Sequence, residues 1–84
     1  MIYSQLDLPL GGTLYVAELP SSIVPSLSNY RSLTQQLLDE IAPRETSWRL
    51  THLPTGAPRL DAPDRDYSIS LSHSGSYVAL VLCE

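Results

Sequence analysis

The run Tyr67-Ser68-Ile69-Ser70-Leu71-Ser72-His73 leads through Ser74-Gly75-Ser76 into Tyr77-Val78-Ala79-Leu80-Val81-Leu82-Cys83, and this stretch decides the fold. Its first part alternates strictly. Neighbouring side chains of an extended chain point to opposite faces, so Tyr67, Ile69, Leu71 and His73 share one face and the serines the other. The Ser-Gly-Ser sequence is a tight turn. Residues 77–83 continue without a polar interruption, the pattern of a strand covered on both faces, and the whole predicts an antiparallel hairpin.

Upstream, residues 13–19 follow Gly11 and Gly12, are rich in β-formers and end at Pro20, which predicts another strand. Residues 21–28, directly after Pro20, hold one proline, Pro25, and several serines that can cap a helix. From Tyr30 the apolar positions Tyr30, Leu33, Leu37, Leu38 and Ile41 recur at helical spacing, and Pro43 ends the run. Residues 47–53, with Trp48, Leu50 and Thr51, predict a further strand bounded by Pro54. Residues 55–66, punctuated by Gly56, Pro58 and Pro63, predict a long exposed loop, and loops of this kind often carry function. The fold class that follows is α+β: a small antiparallel sheet with one amphipathic helix packed on it, residues 1–84 forming a single unit.

Composition narrows the function classes. The 84 residues fall below the roughly 100–150 of a usual domain, and 43% hydrophobic with 17% charged residues describes a globular chain rather than a disordered one. Five basic residues, all arginine, against nine acids give a net charge of −4, which argues against nucleic acid or anionic membrane as partner. No apolar run approaches the roughly 20 residues of a membrane span and no leader pattern opens the chain. One cysteine, Cys83, cannot form an internal disulfide, so a cytoplasmic setting is expected, with Cys83 as a small buried apolar residue. The apolar strand at residues 77–83 needs cover on both faces while one helix covers one, so further sequence or a second subunit is expected to supply the rest.

Ser72, His73 and Ser74 invite a nucleophile reading, which strand alternation opposes: Ser72 and His73 point apart, and no Gly-x-Ser-x-Gly elbow is present. His52, His73 and Cys83 lack the spacing of zinc ligands, and Asp61, Asp64 and Asp66 lack the terminal glutamate of a calcium loop. His73 lies at the end of the apolar face before a Ser-Gly-Ser turn. On spacing alone it reads more simply as a core-edge histidine bonded to a carbonyl than as a contact for an anion. Trp48 and the tyrosines are scattered in the manner of packing residues rather than a platform for bases, and Arg49 and Arg65 read as surface charges.

Three pieces in order favour the anion: Arg31-Ser32-Leu33 opening the helix, Thr55-Gly56-Ala57-Pro58-Arg59-Leu60, and Ser70-Leu71-Ser72-His73-Ser74-Gly75. Together they resemble the N-terminal half of the surfactin-type 4′-phosphopantetheinyl transferases, which have an arginine at a helix start, then Gly-Lys-Pro-x-Leu, then an alternating strand ending Ser-His-Ser. The resemblance runs from about Tyr30 to the C-terminus. It implies half of a fold built from two similar α+β halves, with coenzyme A bound between them. It implies transfer of the phosphopantetheine arm, with magnesium, to a serine of an acyl or peptidyl carrier protein. It implies that Ser72 and His73 contact the coenzyme's phosphates, that Arg31 pairs with the 3′-phosphate, and that Gly56 lets the backbone approach the nucleotide.

Ala57 stands where the family has lysine, and Arg59 replaces that charge only if its loop turns it inward. The family's Gly-x-Asp-x-Glu magnesium carboxylates and Trp-x-x-Lys-Glu helix have no counterpart here. The expectation is therefore a half-domain that supplies substrate contacts at Arg31, Gly56, Ser72 and His73, holds no catalytic or metal-ligating residue, and is inactive alone. The alternative is a non-catalytic, dimerising interaction module that keeps the fold, which Ala57 favours.

Overall fold

The computed structural model describes residues 1–83. In chain order it contains β1 (Tyr3–Asp7), one 3-10 turn (Pro9–Gly11), β2 (Gly12–Glu18), α1 (Leu27–Ile41), β3 (Arg49–His52), β4 (Pro58–Asp61), β5 (Ser68–Ser74) and β6 (Tyr77–Cys83). Four strands form one antiparallel sheet in the order β1-β2-β6-β5, and β3 and β4 form a separate antiparallel pair. The α+β class with one helix on a small antiparallel sheet is what the sequence patterns predict.

The hairpin of β5 and β6 sets the register. Ile69 lies opposite Leu82, Leu71 opposite Leu80 and His73 opposite Val78, so the alternating face of β5 continues into Val78, Leu80 and Leu82 and then into Tyr15 and Ala17 of β2. Gly75 takes φ +57° as the first of the two turn residues, the place where a two-residue hairpin of type II′ needs a positive φ. Onto this face α1 packs Leu33, Leu37 and Leu38, all buried, and Trp48 and Leu60 close the core from the β3–β4 side. Fully burying a leucine side chain contributes about 1.5–3 kcal/mol, so these few residues dominate the stability of the chain.

Helix α1 begins one turn before Tyr30, because the Ser26 hydroxyl accepts a hydrogen bond from the Asn29 N–H at 3.1 Å and caps it. Pro43 follows its last turn, where the Ala42 N–H still reaches the Leu38 carbonyl at 2.9 Å. Arg31 consequently sits in the second turn rather than at the start.

Two other expectations change, at residues 58–61 and at Cys83, which is half-buried rather than buried, and β1 is an additional strand. Residues 58–61 are a strand, not part of a long exposed loop: Leu60 pairs opposite Leu50 and is buried. Pro58 is tolerated as the first residue of that strand, where a missing N–H costs least. Strand β1 was not visible in the apolar pattern, since it is held by pairing with β2 while four of its five residues are exposed. Within the described residues β6 is covered on one face only. Val78, Leu80 and Leu82 are buried, whereas Ala79, Val81 and Cys83 are half-buried and Tyr77 is exposed. No helix among the described residues is long and apolar enough to cross a membrane.

Candidate functional site

At the sheet end where β5 turns into β6, a cleft of about 200 Å³ opens between the start of α1, the end of β3 and β5. Arg31, Gly56, Ser72 and His73, drawn from three separate stretches of sequence, all border it. Each arrives by a different route. Arg31 comes from the second turn of α1. His73 comes from the helix-facing side of β5, opposite Val78. Gly56 belongs to the turn between β3 and β4, closed by hydrogen bonds from the Leu53 N–H to the Ala57 carbonyl (2.9 Å) and from the Gly56 N–H to the Leu53 carbonyl (2.8 Å).

Gly56 has φ +89°, a conformation side-chain-bearing residues rarely adopt, and a Cβ built there would meet nothing within 4 Å. Glycine is thus required by the turn itself, and the space beside it is open. Ser72 borders the cleft, but strand alternation places its side chain on the opposite face, level with Ala79.

A fifth residue was not singled out by the motifs. His52, at the end of β3, also lines the cleft. The period-2 series Trp48, Leu50, His52 carries the signal: Trp48 and Leu50 point into the core, so His52 continues the same side past the edge of the helix. Arg59, by contrast, does not line the cleft. It is exposed beside the buried Leu60, and its carbonyl accepts the Thr51 hydroxyl at 3.3 Å, so it does not stand in for the charge absent at Ala57.

Arg31, His52 and His73 thus converge on one space that no described carboxylate borders, in a chain with nine acids. Among the described residues none of the three side chains has an ion-pair or hydrogen-bond partner. The other walls are the apolar Leu27, Pro58, Leu71 and Val78 together with Tyr30 and Thr34, whose hydroxyls donate to the Gly75 and Tyr30 carbonyls. An arginine fork and two imidazole edges over an apolar floor suit an anionic group attached to a less polar body. No carboxylate lines the cleft, and no group of three or more His, Cys, Asp or Glu among the described residues is placed to hold a metal.

A larger, open depression of about 660 Å³ lies elsewhere, near Met1, Leu19, Leu33 and Gln36. It has neither arginine nor histidine in its walls, so it lacks the chemistry of the smaller cleft. Asp64, after β4, is engaged structurally: it accepts the Trp48 indole N–H at 2.7 Å, while Trp48 packs edge-on against Tyr67 with ring centroids 5.2 Å apart. No protein-family model, curated protein or solved structure matches the chain.

Proposed function

We propose that this chain supplies the phosphate-binding half of a coenzyme A site of the phosphopantetheinyl transferase type. The observation that supports it is the convergence of Arg31, Gly56 and His73 on one acid-free cleft, although they come from three segments of the chain. Arg31 presents a planar fork to a phosphate and His73 adds a ring N–H, each charge-assisted bond being worth about 1.5–3 kcal/mol. A cleft of about 200 Å³ is smaller than the roughly 300–1,000 Å³ of sites that enclose a whole cofactor, so it takes a phosphate and its immediate neighbour while a second half holds the rest. Delivery of the arm to a carrier-protein serine, and any magnesium, belongs to that second half.

Calorimetric titration of the chain with coenzyme A tests the reading. Saturable binding that weakens at least about tenfold in His73→Ala is the expected result; absence of binding by the wild-type chain at any accessible concentration overturns it. A transfer assay with carrier protein and magnesium is expected to show no turnover from this chain alone. A second reading, a dimerising module without coenzyme A, draws on the half-buried apolar side chains Leu14, Val16, Ala79 and Val81 on the face of the sheet that α1 does not cover. The same titration separates the two.

A further inference from the structure

Resting on the reading of the cleft as a phosphate site, we propose that Tyr30 is its positioning residue, fixing His73 for the anion while leaving the imidazole's own nitrogens free. The Tyr30 and His73 rings are stacked, with centroids 4.1 Å apart and planes 18° from parallel. The Tyr30 hydroxyl donates to the carbonyl of Gly75, two residues beyond His73 in the hairpin turn. One side chain therefore holds this segment twice, by the face of the histidine and by the backbone of the turn.

The manner of the hold matters chemically. A histidine is commonly oriented by a hydrogen bond to one ring nitrogen, which uses up a donor or acceptor. His73 has no such bond among the described residues; it is held by its face, and both nitrogens on its edge stay available to a ligand. Tyr30 also precedes Arg31 directly in α1, so the turn of helix that carries the arginine is tied to the turn of sheet that carries the histidine. Preorganising two groups from distant elements lowers the ordering cost of binding.

The experiment combines a double-mutant cycle with proton NMR of the two histidines, using coenzyme A and inorganic pyrophosphate as probes. Tyr30→Phe keeps the stack and is expected to bind within about threefold of wild type. Tyr30→Leu is expected to lose about tenfold, as is His73→Ala, and the double variant is expected to be little weaker than His73→Ala alone, because Tyr30 acts through His73. Equal losses from Tyr30→Leu in the wild-type and His73→Ala backgrounds overturn the proposal. In the unmodified chain the ring protons of His73 should lie upfield of those of His52, which has no stacked partner among the described rings; coincident resonances overturn it without reference to any variant's folding. Failure to bind coenzyme A with retained pyrophosphate binding overturns the functional reading only, and the cycle is then read with pyrophosphate. Failure to bind either probe overturns both.

Discussion

Leu10 carries a positive φ of +69° at the turn between β1 and β2, with its side chain fully exposed, so strain is accepted there without any packing in return. A left-handed conformation costs a side-chain-bearing residue about 1–2 kcal/mol, and asparagine tolerates it better than leucine. Leu10→Asn should therefore raise stability by about 0.5–1 kcal/mol, visible as a thermal midpoint a few degrees higher. Gly56→Ala reverses the argument: at φ +89° it should cost about 1–2 kcal/mol although the space beside it is empty, and an unchanged melt would show that the turn relaxes. The sequence motif marks Gly56 as a point of close backbone approach, but its φ, which no motif states, already demands glycine. Tyr15 gives the alkaline limit. Burial, then the neighbouring Tyr3, Tyr67 and Asp7, raise its pKa above 10.0, so the folded chain keeps the proton longer than the unfolded one. That contribution is complete below the ordinary tyrosine range and is lost as pH climbs through the raised value. Denaturant melts should weaken above about pH 10, and less steeply in Tyr15→Phe.

The hydrogen bonds between α1 and the β3–β4 pair centre on one amide. Gln35 donates from Nε2 to the Trp48 carbonyl at 2.8 Å and accepts the Leu50 N–H at Oε1 at 2.9 Å, substituting a side chain for the strand that β3 lacks on that side. Asp39, one turn along α1, holds the same Nε2 at 3.0 Å and fixes its orientation. Gln35→Ala strands two half-buried backbone groups and should cost about 2 kcal/mol, with faster hydrogen exchange at the Leu50 amide. Because His52 rides on β3, the same variant should also weaken coenzyme A binding, whereas an intact Leu50 amide would show that β3 is held by other means. Elements were legible where their own periodicity carries the burial, as in β5, β6 and the apolar face of α1. They were hidden where a partner carries it. In β4 the buried Leu60 stands between Pro58 and Pro63, whose turn chemistry dominates the local pattern, and the Gln35 bridge has no signature in a helix where glutamine ordinarily faces water. The cleft was legible for Arg31 and His73, but His52 needed β3 to be placed against the helix first.

At the scale of the whole molecule, the sheet has a finished face and an unfinished one. Under α1 lie Val78, Leu80 and Leu82, buried; on the other face Leu14, Val16, Ala79, Val81 and Cys83 form a half-buried apolar band across β2 and β6, bordered by the exposed serines of β5. The unbroken apolar run of residues 77–83 predicts cover for both faces, and the fold explains why the pattern has no polar phase: β6 is a central strand, so its second set of side chains sits inside a continuous patch instead of at an edge. Contiguous apolar surface of this kind drives association unless something covers it. The isolated chain should therefore self-associate, its sedimentation-average mass rising with concentration, and Val16→Lys should return it to monomer with its far-ultraviolet circular dichroism unchanged, because the substitution puts a solvated charge in the middle of the band without touching the α1 side. Stable pairing takes about 800 Å² from each partner, so a charge near the centre of the band should abolish it rather than trim it. Coenzyme A binding by the Val16→Lys monomer should match that of the wild-type chain, since the cleft lies at the sheet end on the helix side and shares none of these side chains. A wild-type chain that stays monomeric at every concentration would mean that this band is tolerated in water as it stands, and the case for a second half seated on it would then have to rest on the cleft alone.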